Sequence, residues 1–294
     1  MKKKRSLRIL MSRMKGRSTG LLGLLLLIAV LLVACGGGTG SEDAAGTATA
    51  DAAANGAETT EPVTLIVSAA ASLRDSLESL TPQFEQENPG ITVTYNYGAS
   101  GSLQKQIEQG APADVFLSAG QKQMDALIES GHIEAEQSLN LLKNSLVVIV
   151  PADAKVVPES LNLLEDADTG IGMIAVGEPE VVPAGMYAKE SLEHEQLWDK
   201  LYSKMVFTKD VTQVLTYIES GNADAGFVYL SDAKSSTKVK TAFAIDDSYH
   251  RPIVYPAGMV AETKHREAAQ AFMQFIRGTA ASDIFTEHGF TVAE

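Results

Sequence analysis

The chain reads as an α/β protein with largely parallel sheets, and three observations carry that reading. From residue 63 onward, short apolar runs alternate with segments of helical spacing. Small residues and serines stand at several strand-to-helix junctions, and the helical segments close on glycine or on Asn-Pro-Gly. Strand–helix alternation repeated this often is the pattern of sheets covered by helices.

The elements follow in order. Residues 63–69 are a short apolar strand. Leu73, Leu77, Leu80 and Phe84 then recur at helical spacing, behind a Ser72-x-x-Asp75 start that resembles a capping box. Asn88-Pro89-Gly90 stops that helix, and Ile91, Val93, Tyr95 and Tyr97 alternate as a strand. After the loop at 98–102 comes a helix with Leu103 and Ile107, ending near Gly110. Residues 114–118 are a strand, and Met124, Leu127 and Ile128 mark a helix closed by Gly131. Residues 146–150 form an apolar strand stopped by Pro151. A strand at 174–176 runs into a Gly- and Pro-containing loop, with a helix starting at Pro183 or Ala184. Residues 205–207 are a strand, followed by a helix at 211–220 with Asp210 as cap and Gly221 as stop. Strands at 225–229 and 253–259 and a helix at 266–277 complete the pattern. Ligands in such folds sit where strand C-termini meet helix N-termini.

The first 34 residues do not belong to this pattern. They carry eight basic residues and no acid, then an apolar run at 21–33. That run is shorter than the roughly 18–20 residues a spanning helix needs, and the layout is that of a secretory signal. It ends in Leu32-Val33-Ala34-Cys35, which has the form of a lipobox, so Cys35 is expected to carry a lipid as the first mature residue. A plain signal peptide with an incidental cysteine, or an uncleaved anchor helix, is the alternative. Cys35 is the only cysteine, so no disulfide forms within the chain. Residues 35–62 are small, polar or acidic after the cysteine and bury too little apolar surface to fold, which makes them a tether. Cleavage leaves 16 Lys and Arg against 37 Asp and Glu, a net charge of −21. Such a surface excludes nucleic acid as a partner. It also repels a small anion at long range, but salt screens that beyond about 8–10 Å.

Four junctions place small residues and free backbone N–H groups at a helix start: Ala70-Ala71-Ser72, residues 99–102, Pro183-Ala184-Gly185 and Asp210-Val211-Thr212. A helix N-terminus has unpaired donors and a partial positive charge, which suits an anion. Taken singly, each is an ordinary helix start, and the sequence does not show that they converge.

Seven stretches resemble the molybdate-binding proteins of ABC importers: residues 69–73, 97–102, 110–118, 144–150, 175–189, 210–211 and 226–232. They occur in that family's order and span essentially all of residues 63–294. The resemblance implies a two-lobed periplasmic-binding-protein type II fold. Lobe 1 would hold residues 63–141 and 253–294, and lobe 2 residues 142–252, with the ligand cleft between them. It implies that Ser72 and Ser100 donate hydroxyl and backbone N–H bonds, Ala184 and Val211 backbone N–H bonds, and Tyr229 its phenol O–H. The molybdate or tungstate oxyanion, with its metal centre, is expected at these five residues. Ser102 is a weaker candidate, and Gly101 stands where some relatives have serine, with an effect on pocket width. The partners implied are the oxyanion, an importer permease with its ATPase, and the membrane through the lipid on Cys35. A monomeric, extracytoplasmic, lipid-anchored binding protein follows, with no cofactor and no enzymatic reaction.

Five donor-only positions suit a fully ionised tetrahedral dianion, because a monohydrogenphosphate needs an acceptor for its proton. Sulfate fits equally in charge and shape, so cavity size must discriminate against it. Other signals are weaker. His132, His194, His250, His265 and His288 lack metal-ligand spacing. Gly98-Ala99-Ser100-Gly101 lacks the full Gly-x-Ser-x-Gly pattern of a nucleophile elbow. Trp198 and Tyr202 read as core. The rival classes are a binding protein for sulfate, phosphate or iron, a secreted hydrolase using Ser100, and a surface lipoprotein without a ligand.

Overall fold

A computed structural model describes residues 61–293 of the chain. The leader, Cys35 and all but the last two residues of the expected tether lie outside the described residues. The first half of the fold runs β1 (Val63–Ala70), α1 (Arg74–Glu87), β2 (Ile91–Gly98), α2 (Ser100–Glu108), β3 (Val115–Leu117), α3 (Gln121–Glu129) and β4 (Ile133–Lys143). The chain continues through β5 (Leu146–Pro151), β6 (Ile174–Gly177), α4 (Pro183–His194), α5 (Trp198–Leu201), β7 (Met205–Thr208), α6 (Val211–Glu219), β8 (Ala225–Tyr229), α7 (Leu230–Lys234) and β9 (Val239–Ala244). It ends with β10 (Val254–Val260), α8 (Arg266–Phe275), α9 (Thr279–Glu287) and β11 (Thr291–Val292).

The strands form two sheets. One has the order β11-β4-β10-β3-β1-β2, the other β7-β6-β8-β5-β9. The chain crosses between them twice, after β4 and again after β9. Since β4 extends to Lys143, the first crossing falls at Asn144 and Ser145, slightly beyond the expected residue 141.

The sheets are mixed rather than mostly parallel. The β1–β2, β1–β3, β6–β7 and β6–β8 pairs are parallel, as right-handed strand–helix–strand units require. The strand that follows each crossing runs the other way: β5 is antiparallel to β8 and β9, and β10 to β3 and β4. It enters from the other half of the chain, so no covering helix dictates its direction.

The helical spacing read from the sequence is the packing seen. Leu73, Leu77, Leu80 and Phe84 are buried, and the Phe84 ring meets Phe272 at 5.2 Å and Phe275 at 5.3 Å. Each such side chain contributes roughly 1.5–3 kcal/mol by burial. Leu146 to Val150 are buried without alternation because both faces of β5 are covered. Gly131 and Gly221 follow α3 and α6 with φ of 77° and 69°, the left-handed closure that glycine permits. Tyr202 is a correction to its reading as core: it is 55% exposed, resting its ring near Trp198 and Phe207 at the surface. Among the described residues no helix is long and apolar enough to cross a membrane.

Candidate ligand site

The C-terminal ends of β1, β2 and β3 face the helix starts that follow β6, β7 and β8. Between them lies a small, tight cavity, with only about 10 Å³ open to the centre of a water-sized sphere. Ser72, Ser100, Ala184, Val211 and Tyr229 all line it, together with Ala70, Ala71, Gly98, Ala99, Ala119, Val182 and Pro183. The five residues singled out in the sequence are therefore brought together. Ser72 and Ser100 come from the six-stranded half, the other three from the five-stranded half. Ser102 is not among the lining residues.

The helix starts differ from ordinary capped ends. The residues preceding α2 and α4 are Ala99 and Val182, and neither supplies a side-chain cap. Pro183 opens α4 where its missing N–H would be unpaired anyway. Asp210 does cap α6, but its carboxylate takes the N–H of Gln213 and leaves that of Val211. Ser72 is a correction. It does not cap α1; it lies inside a 3-10 turn at Ala71–Leu73 that precedes the α-helix, so its hydroxyl is turned away from the backbone it was expected to cap. Among the described residues, the backbone N–H groups of Ser72, Ser100, Ala184 and Val211 have no hydrogen-bond partner. Ser100 and Ala184 are completely buried and Val211 nearly so. Buried N–H groups without partners are rare, and three of them around one cavity, with the half-buried Ser72 N–H as a fourth, mark a place where an acceptor belongs.

The hydroxyls complete the donor set. Ser100 Oγ accepts the N–H of Ala119 at 2.9 Å, which leaves its own proton free. Ser72 Oγ lies 3.0 Å from the Tyr255 phenol oxygen. Tyr229 O–H donates to the carbonyl of Ala119 at 3.3 Å, a contact between the two halves. Burial first, then the neighbouring Tyr255, raises the Tyr229 phenol well above its ordinary pKa, so it stays a donor. No charged side chain lines the cavity. An anion there would be held by neutral dipoles alone, which strengthen in a water-poor setting.

Two glycines let the halves approach. Gly101 N–H donates to the carbonyl of Val181 at 2.9 Å, and a Cβ on Gly101 would meet the Val181 backbone at 2.8 Å. A Cβ on Gly120 would come within 3.2 Å of Pro183. Outside the cavity, Arg251 in the second crossing holds Glu190 of α4 through both its guanidinium, at 2.7 Å, and its backbone N–H, at 3.1 Å. Ala119, Tyr255 and Val181 were missed in the sequence. Ser118-Ala119-Gly120 offered the same small-residue signal as the other junctions, whereas Tyr255 sits in an apolar strand with nothing to distinguish it. Among the described residues no group of three or more His, Cys, Asp or Glu is placed to hold a metal ion directly.

Residues 65–291 match the family described as bacterial extracellular solute-binding protein. A Bacillus subtilis (strain 168) protein named as a candidate ABC transporter substrate-binding lipoprotein, YvgL, is 44% identical over 78% of this chain and 86% of its own length. The molybdate-binding protein ModA of Escherichia coli (strain K12) is 36% identical over 78% of this chain and 89% of its own. The solved periplasmic molybdate-binding protein of Azotobacter vinelandii superimposes with a TM-score of 0.71 at 29% identity, covering 78% of this chain and all of that one.

Proposed function

Because the chain belongs to the bacterial extracellular solute-binding proteins, which bind cargo and are not enzymes, we propose that it captures molybdate, or tungstate of nearly the same size, for an ABC importer. The single observation that carries this reading is the set of four partnerless N–H groups and three hydroxyls around one cavity with no charged lining. A fully ionised tetrahedral oxyanion accepts from the N–H groups and the two serine hydroxyls, and from Tyr229 once its O–H turns from the Ala119 carbonyl, and offers no proton in return. A monohydrogenphosphate would find no carboxylate among the lining residues to take its proton. Molybdate is the name carried by the Escherichia coli and Azotobacter vinelandii relatives.

In this reading the six-stranded half, residues 63–143 and 253–294, is one lobe and the five-stranded half, residues 146–252, the other. An anion first held by the Ser72 and Ser100 side completes its shell when Ala184, Val211 and Tyr229 close over it. Only the closed state gains those bonds, so ligand shifts the population toward it. The importer permease then takes the anion from the closed form, powered by its ATPase. The lipid on Cys35 keeps a monomeric protein at the outer face of the membrane. The Bacillus subtilis relative, named as a lipoprotein, supports that anchoring.

Titration calorimetry with molybdate, tungstate, sulfate and phosphate in one buffer tests the reading. Tight molybdate and tungstate, far weaker sulfate and silent phosphate are the expected results. Tight sulfate or phosphate with weak molybdate would overturn the ligand.

A further inference from the structure

Tyr255 lies behind the cavity, outside its lining, yet its phenol oxygen is 3.0 Å from Ser72 Oγ, and either atom could donate. Asn144 decides the direction. Its Oδ1 accepts the N–H of Ser145 at 2.9 Å, which fixes which side of the amide is the carbonyl. Its Nδ2 therefore faces Ser231 Oγ at 2.9 Å and the Tyr255 phenol oxygen at 3.4 Å. The phenol oxygen already receives a hydrogen from Asn144, so its own proton is free to go to Ser72 Oγ. Ser72 then accepts, and its hydroxyl proton is the one left at the end of the chain. Tyr255 is in place to do this, because its ring is buried and packed edge-on against Tyr229 at 5.5 Å and Phe290 at 5.3 Å.

We propose that Tyr255 is a positioning residue that orients Ser72 as a donor toward the bound oxyanion, with Asn144 fixing the sense of the relay from the first crossing between the sheets. The inference rests on the oxyanion reading of the cavity. Donor chains of this kind polarise one another, so the last O–H becomes a stronger donor than an isolated serine. The relay also joins the halves. Ser231 belongs to α7 on the five-stranded side, Asn144 to the crossing, and Tyr255 and Ser72 to the six-stranded side.

The test is a double-mutant cycle in the full chain, read by calorimetric titration with molybdate, tungstate and sulfate separately. Ser72→Ala is expected to weaken binding roughly 10- to 150-fold, and Tyr255→Phe, which keeps the ring packing, about 5- to 20-fold. The double variant is expected to bind as Ser72→Ala does, within about twofold, because Tyr255 acts only through Ser72. Asn144→Ala weakens binding in the wild-type background and adds nothing in the Tyr255→Phe background; this second cycle stands if Ser72→Ala folds poorly. Losses that multiply in either cycle, or wild-type affinity in Tyr255→Phe, overturn the relay while leaving the oxyanion reading intact. Silence of the wild-type protein toward all three anions overturns both.

Discussion

The two ends of strand β3 meet backbone donors in opposite ways. At its N-terminal end the protein supplies its own anion. The Asp114 carboxylate is buried, accepts the Ile66 N–H at 2.7 Å and the Thr263 hydroxyl, and lies 3.4 Å from His265 Nδ1. Asp224, at an exposed position in the five-stranded half, likewise takes the N–H groups of Gly172 and Met173. At the C-terminal end, beyond Leu117, four backbone donors and the Ser100 hydroxyl proton face a cavity with no carboxylate in its lining. Donors answered by a fixed carboxylate stabilise the fold. Donors left unanswered cost stability until an anion arrives, and that arrival is function. The same helix-and-strand termini thus serve structure or binding according to whether a side-chain acid is built beside them.

The most drastic way to break this contrast is to give the cavity its own acid. Ser72→Asp puts a carboxylate where the anion belongs, and like charges at close quarters cost several kcal/mol. Molybdate affinity is expected to fall roughly 1,000-fold or more, read by calorimetry. Retention of tight binding would mean that the cavity is not the anion site. The converse change is Asp114→Ala. It leaves the buried Ile66 N–H without an acceptor, at about 2–4 kcal/mol of stability counting the Thr263 hydroxyl. Denaturant melts should show that loss while molybdate affinity stays unchanged. A change in affinity would couple the two ends that the geometry keeps apart.

Much of the first end, and of the fold, was legible. Leu73, Leu77, Leu80 and Phe84 announced α1 because one face of that helix alone is buried, and the apolar run at 146–150 announced β5 because both its faces are. Strand β4 was invisible. Of its eleven residues only Ile133, Leu141 and Leu142 are buried, so no alternation marks it; its place is fixed by pairing with β10 and β11. The direction of β5 and β10 was also hidden, since it depends on the chain crossing between sheets rather than on any local residue. At the site, the resemblance supplied the five residues, while the spacing alone gave only four separate helix starts. Their convergence depends on two halves meeting, with Gly101 pressed on Val181 and Gly120 on Pro183. Ser72 looked like a cap because Asp75 follows at capping-box spacing. The 3-10 turn before α1 removed that role and freed the hydroxyl for Tyr255.

A finer cut is Ser100→Ala. It removes one hydroxyl donor but leaves the backbone N–H groups in place. A hydrogen bond to a charged group contributes about 1.5–3 kcal/mol, so molybdate affinity should drop roughly 10- to 150-fold. Because Ser100 Oγ also accepts the Ala119 N–H, the empty protein should lose some stability as well. A variant with wild-type affinity would show that the N–H groups alone make the site.

The smallest expected effect concerns the acid nearest the binding end. Asp232 lines a recess beside the cavity together with Ser72, and its carboxyl accepts the N–H of Tyr229 at 3.1 Å. Burial pushes its pKa up to about 7, opposed by that N–H and assisted by Asp75 and Asp210. The folded protein therefore holds a proton here that the unfolded chain, titrating near 3.8, has already lost. Where the native state binds the extra proton, stability falls as pH rises, so this residue's contribution declines between about pH 4 and pH 7 and is level on either side. Asp232→Asn keeps an acceptor for Tyr229 and removes the charge, but it buries a new amide donor. The net gain is expected to be about 1 kcal/mol at pH 8, reversing to a loss at pH 5, where the wild-type carboxyl is neutral. Thermal melts at the two pH values read the sign. A gain of equal size at both would mean that Asp232 is ionised throughout, and that an acid can stand charged beside the anion end after all.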